Sequence, residues 1–137
     1  MKFSEDLVID ANRFLVEFYS GKDVIALHAY GKDKNNQLYY ETALTYFDEN
    51  APVIVFTDDL DWYETSYLFS GDRFTASEGN NIDFDLCLTM HCDAHIIGNN
   101  ENSLNAVLNS KSKLIIVPNN VNFQHKNCLK LEVINDD

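Results

Sequence analysis

No stretch of this chain is apolar for long enough to cross a bilayer. The longest runs, "PVIVF" and "LIIV", fall far short of the roughly 20 residues a membrane helix needs. Positive charge is scarce as well: 10 Lys and Arg stand against 22 Asp and Glu, a net charge of −12. The bases are scattered and form no track along which a phosphate backbone could run, so nucleic acid is excluded as a partner and anionic membranes are disfavoured. The opening "MKFSEDLVID" lacks the basic start and long apolar stretch of a signal peptide, and a cytoplasmic protein is expected unless a longer chain carries a targeting segment. Cysteine is sparse and odd in number. Cys87, Cys92 and Cys128 sit at irregular spacing, and Cys87 and Cys92 would not share a helix face, so reduced thiols are expected rather than a disulfide or zinc site. There is no internal repeat, no Pro- or Ser-rich linker and no Gly-rich phosphate fingerprint. The expectation is one domain over residues 1–137.

What the chain does have is a core. Hydrophobic residues make up 45% and aromatic residues 12%, which sets it apart from disordered sequences. "SEDLVIDANRFLVEFYSGK" reads as a helix capped by Ser4, with Leu7, Val8, Phe14, Leu15 and Phe18 inward and Gly21 as the stop. "DVIALHAY" and "APVIVFTDD" are continuous apolar runs of strand length, separated by a helical stretch whose Leu38, Ala43, Leu44 and Phe47 are expected to face inward. A short helix at "LDWYETSYLFS" and a weaker strand at "DRFTASEG" follow. Then come a helix at "NIDFDLCLTMHCDA" with Asp83 as its expected cap, a strand at "HIIGN", a helix at "NSLNAVLNS" and a strand at "KLIIVPNN". The tail "CLKLEVIND" is either a sixth strand or an extended edge. Strands apolar on both faces, each followed by a helix, imply βαβ units. The expected fold class is α/β, a Rossmann-like three-layer sandwich with a mainly parallel sheet of about five strands. Ligands of such sheets lie outside the carboxyl ends of the strands, here "HAYGKD", "TDD", "SEGNN" and "GNNENS".

Several clusters bear on chemistry. His91 and His95 in "HCDAH" have the spacing of a helical zinc pair, but Cys92 stands where a metalloprotease needs Glu, and His95 begins a strand. The reading is a helix-end His and a core His. Asp58, Asp59 and Asp61 in "TDDLDW" could gather a divalent metal with ligands from other loops, or could cap and solvate a strand-to-helix turn; capping is the default. "GNNENSLNAVL" runs a strand into a helix whose free N–H groups, with the Ser103 hydroxyl, could receive an anion; plain capping by Asn100 or Asn102 accounts for the same residues. His28, Lys32 and Asp33 occupy the first strand end.

In order and spacing, "PVIVFTDDLDW", "DRFTASEGNN" and "DFDLCLTMHCDAHIIGNNENSLNAVLN" resemble the C-terminal half of the α-1,2-fucosyltransferases. Asp58, Asp59 and Trp62 match the first family element, and Phe74, Glu78, Gly79 and Asn80 the second. Asp85, Leu86, Met90 and Cys92 match the third; His95, Ile96, Ile97, Asn99, Ser103 and Ala106 match the fourth. The resemblance spans about residues 22–118. It implies the nucleotide-sugar-binding half of a two-domain, GT-B-like transferase, with a GDP-fucose-like nucleotide sugar as ligand. No cofactor and no metal are implied. On this alignment the substrate side consists of His28, Lys32, Asp58, Asp59, Glu78, Asn99 and Ser103, with Asp58 and Asp59 forming turns beside the donor pocket.

The departures bear on activity. The family's His-x-Arg-Arg-x-Asp becomes "HAYGKD", so Tyr30 and Gly31 stand where arginines grip the diphosphate. Each such charge-assisted contact is worth about 1.5–3 kcal/mol, and losing a donor aimed at developing charge costs about 10²–10³ in rate. The paired Trp of the last motif is gone, with Asn102, Leu104 and Asn105 nearby, and the family's N-terminal, acceptor-binding half has no counterpart. The expectation is a degenerate glycosyltransferase-like domain without independent transfer activity. A partner chain or self-association could supply the missing half. Two other functions remain open, a non-catalytic nucleotide- or sugar-binding module and an interaction protein retaining only the fold.

Overall fold

Val53–Thr57 is apolar at both alternating sets of positions because both faces of its sheet are covered. The computed structural model, which describes residues 2–133, has six parallel strands in the order β3-β2-β1-β4-β5-β6. These are β1 Ile25–Ala29, β2 Val53–Thr57, β3 Phe74–Ala76, β4 Ala94–Ile96, β5 Ile115–Pro118 and β6 Cys128–Leu131. The helices are α1 Glu5–Tyr19, α2 Gln37–Leu44, α3 Leu60–Thr65, α4 Ile82–His91 and α5 Glu101–Leu108. Every paired strand is parallel, and β1 is hydrogen-bonded to both β2 and β4. The tail resolves as a true strand, with Ile115 to Pro118 opposite Cys128 to Leu131.

Alternate residues of β1 feed different layers. Ile25, Leu27 and Ala29 pack with Tyr39, Tyr40 and Ala43 of α2 and with Leu68 and Phe69. Ala26 faces the other way, against Ala11 of α1 and Leu88 of α4. A third cluster joins Val107 of α5 to Ile97, Ile115 and Val117, closed by Val121 and Phe123 from the β5–β6 connection. The result is the three-layer α/β sandwich that continuous apolar strands call for.

Local signals decide most boundaries. Ser4 caps α1, its hydroxyl accepting from Leu7 N, and the helix ends at Ser20 and Gly21, both at positive φ. Asp59 caps α3 by accepting from Trp62 N. For α4 the cap is Asn81, which accepts from Phe84 N at 2.8 Å, and not Asp83, which lies inside the first turn. Two inward assignments also shift. Phe18 is exposed and leans on Phe14. Leu38 is exposed while Tyr39 and Tyr40 are buried, because their hydroxyls reach the carbonyls of Ile97 and His28. A tyrosine can enter a core once its hydroxyl has a partner.

Candidate functional site

The strand order reverses between β1 and β4: β2 and β3 extend the sheet one way from β1, and β4, β5 and β6 the other. Loops leaving two strands at such a switch diverge to opposite faces and open a crevice at their carboxyl ends. Here the loop after β1 is a 3-10 turn, Gly31–Asn35, and the loop after β4 runs from Ile97 to Asn100 into α5.

Asp33 holds these loops together. Its carboxylate accepts from Asn99 N at 3.0 Å and from Asn99 Nδ2 at 3.2 Å, and the residue is only 6% exposed. Gly98 makes the approach feasible, since a Cβ there would lie 2.2 Å from Asp33 Oδ2. Beside this lock is a crevice of about 510 Å³ lined by Lys32, Asp33, Asn35, Asn36, Asn99, Asn119, Asn120 and Val133, a volume within the range of small-molecule sites. A hollow of about 370 Å³ at the other end of the sheet is lined by Lys22, Pro52 and Arg73, which lead into β1, β2 and β3. Parallel sheets do not place ligands at that end, and it carries no functional weight.

His28 and Ser103 meet each other rather than the crevice. Both are 0% exposed. Thr89 donates its hydroxyl proton to the Asp85 carbonyl, so its Oγ1 receives the Nε2–H of His28 at 2.8 Å. The bare Nδ1 then accepts the Ser103 hydroxyl at 2.6 Å. The imidazole stacks on Phe56, with ring centroids 4.6 Å apart. Burial, reinforced by His95, pushes the His28 pKa down to about 3. His95 is also fully buried, donating Nε2–H to the Thr89 carbonyl and accepting from Ser112, and burial lowers its pKa to about 4. His91 instead lies at the end of α4 against the Cys87 carbonyl, so the two histidines of "HCDAH" do not share a helix face.

The aspartates are engaged with protein. Asp58 accepts from Gly31 N at 3.1 Å and pairs with Lys34 Nζ at 2.8 Å; Asp59 lies 3.7 Å from the same ammonium. Burial alone would raise the Asp58 pKa, but the Lys34 and Gly31 contacts outweigh it and the net shift is downward. No group of three or more His, Cys, Asp or Glu suited to a metal occurs among the described residues. Glu78 is exposed in the loop after β3, and Lys32 is exposed at the crevice rim. Of the seven residues expected on the substrate side, then, Lys32 and Asn99 line the crevice, and Asp58 and Asp59 brace the loop beside it. His28 and Ser103 are fully buried and form no part of its lining, and Glu78 stands apart.

The asparagines were overlooked, although the sequence carries a sign of them. Asn-Asn occurs at 35–36, 80–81, 99–100 and 119–120, following β1, β3, β4 and β5. The pairs after β3 and β4 are committed: Asn80 bonds Ser77, Asn81 and Asn100 cap helices, and Asn99 holds Asp33.

Among solved structures, the chain is similar to ADP-heptose LPS heptosyltransferase II of E. coli, with a TM-score of 0.62 and 13% sequence identity. The fold is glycosyltransferase-like. The match covers 98% of this chain and 45% of the heptosyltransferase, so the chain spans about half the length of that enzyme. No protein-family model matches the sequence, and no curated protein matches it either. The sheet offers an asparagine-lined crevice at its switch point. No helix among the described residues is long and apolar enough to cross a membrane.

Proposed function

We propose that this chain is a glycosyltransferase-like half-domain that binds a sugar-bearing ligand in the β1/β4 crevice and transfers nothing by itself. The observation that carries the reading is the position of the crevice at the reversal of strand order, in a fold shared with a glycosyltransferase. The motif resemblance to α-1,2-fucosyltransferases supports it, because the matched Asp58, Glu78 and Asn99 all follow strand ends on this one edge. On that resemblance GDP-fucose is the first ligand to test.

The absence of transfer rests on chemistry. The hydroxyl–imidazole pair most like a nucleophile and base, Ser103 and His28, is sealed from solvent. Among the described residues Lys32 is the single cation lining the crevice, too little to hold a diphosphate leaving group where two arginines stand in the family. Transfer would need an acceptor-binding half in addition to these residues, since positioning of two substrates supplies much of such a rate.

The test is a thermal-shift and calorimetric panel of GDP-fucose, ADP-sugars and free saccharides, with released nucleotide assayed in parallel. Saturable binding of a sugar-bearing ligand without turnover is expected. Turnover by the chain alone, or no binding across the panel, contradicts the reading.

A further inference from the structure

The four carboxamides of Asn35, Asn36, Asn119 and Asn120 line one crevice, and their side chains make no hydrogen bond to any described residue. Asn36 is the clearest case. It occupies the N-cap position of α2, yet its side chain does not cap the helix. Asn81 and Asn100, at the same position of α4 and α5, both do. Turn formation explains an asparagine that bonds its own backbone. It does not explain asparagines from the loops after two separate strands, β1 and β5, lining one shared space with no protein partner among the described residues for their side chains.

The surroundings define what would satisfy them. A carboxamide offers two N–H donors and an acceptor oxygen, and a sugar hydroxyl both donates and accepts. A phosphate only accepts, and its charge calls for Arg, Lys or free backbone N–H groups. One backbone N–H of the lining, that of Asn99 ahead of α5, is taken by the Asp33 carboxylate. That carboxylate also puts negative charge in the crevice lining, against Lys32 alone among the described residues. The apolar Val133 side chain supplies a wall on which the C–H face of a sugar ring can rest.

We infer that the crevice is a subsite for a neutral, polyhydroxylated saccharide, held by Asn35, Asn36, Asn119 and Asn120, and that it rejects nucleoside diphosphates. The inference rests on the reading of this crevice as the ligand site and names the part of a sugar-bearing ligand that it recognises.

The experiment follows the side-chain amide resonances of ¹⁵N-labelled protein while L-fucose, D-mannose, maltotriose, GDP and ADP are titrated at constant ionic strength. At least one saccharide should shift the four asparagine amides saturably, with GDP and ADP leaving them in place. Asn119→Ala and Asn120→Ala, at exposed positions that fold should tolerate, should each weaken that saccharide at least threefold, and together at least tenfold. GDP or ADP shifting the same amides overturns the inference while leaving the crevice standing as a ligand site. Silence from all five compounds overturns both.

Discussion

The Ser103 hydroxyl donates to Nδ1 of His28 at 2.6 Å, joining the first turn of α5 to the central strand β1 with neither residue in contact with solvent. The contact belongs to a continuous array. The Asp85 carbonyl, the Thr89 hydroxyl, the imidazole and the Ser103 hydroxyl form a single donor-to-acceptor chain across α4, β1 and α5. Asn100 Oδ1, 3.0 Å from the Ser103 hydroxyl, is a second acceptor within reach, but the shorter contact is to the imidazole, and the array ties α4 and α5 to β1.

Ser103→Ala is accordingly a stability variant. It leaves His28 Nδ1 buried without a donor, and a loss of about 1–3 kcal/mol is expected. Urea denaturation followed by circular dichroism measures it. A variant as stable as wild type whose ligand binding is abolished would instead mean that Ser103 touches the ligand.

Acid should loosen the fold through the two buried histidines. Their folded pKa values, about 3 for His28 and about 4 for His95, lie below the unfolded value of about 6.5. Between these limits the unfolded chain binds more protons, so stability is fully present above pH 6.5 and is lost as pH falls toward 4 and then 3. The slope is at most about 1.4 kcal/mol per histidine per pH unit. Denaturation midpoints collected from pH 7.5 down to 4.5 should fall steadily below 6.5; a flat profile would show that neither ring is held neutral.

The Gly98 approach makes a coupled pair. Gly98→Ala drives a methyl group into the Asp33 carboxylate and should cost about 1–3 kcal/mol by overpacking. Asp33→Ala makes room for that methyl but removes the acceptor for Asn99, so the double variant should be less destabilised than the sum of the singles. A double-mutant cycle with additive effects would separate the two residues.

Gly31 and Tyr30 resist conversion to the arginines of the resembling family. Gly31 has φ +54 with open space around it, so the penalty for Gly31→Arg is backbone strain of about 1–2 kcal/mol. Tyr30 packs its ring 5.6 Å from that of His28, and Tyr30→Arg forfeits the contact. Melting temperatures below wild type are expected for each; an unchanged Gly31→Arg would show that the left-handed turn is dispensable.

Divalent metal should not stabilise the protein. Lys34 already lies 2.8 Å from Asp58 and 3.7 Å from Asp59, and a metal would have to displace it. Millimolar Mg²⁺ or Mn²⁺ should leave the melting temperature unchanged, and Asp58→Asn should cost no more than about 1 kcal/mol, since the pair is partly exposed. A metal-induced rise lost in Asp58→Asn would reverse this assignment.

Elements whose causes are local were legible along the chain. "VIALHA", "PVIVF" and "LIIV" are apolar at consecutive positions because parallel strands are covered on both faces, and that pattern survives without any three-dimensional information. The caps at Ser4, Asp59 and Asn100 depend on atoms three residues away, and each was among the residues expected to cap. The choice of Asn81 over Asp83 was not, because both are good caps and only the helix start separates them. "CLKLEV" stayed ambiguous because an edge strand, half-buried on each face, carries little periodic signal.

Tertiary structure alone decided which strand ends became neighbours. His28 and Ser103 lie 75 residues apart and Asp33 and Asn99 lie 66 apart, so nothing in the composition or spacing of either partner encodes the contact. Strand order set both pairings. Placing β4 beside β1 buried a histidine expected at the ligand, and it brought the loops after β1 and β5 around one crevice. Four asparagines that read separately as ordinary turn residues meet there, because side chains distant in sequence acquire a common role only once a sheet fixes the distance between them.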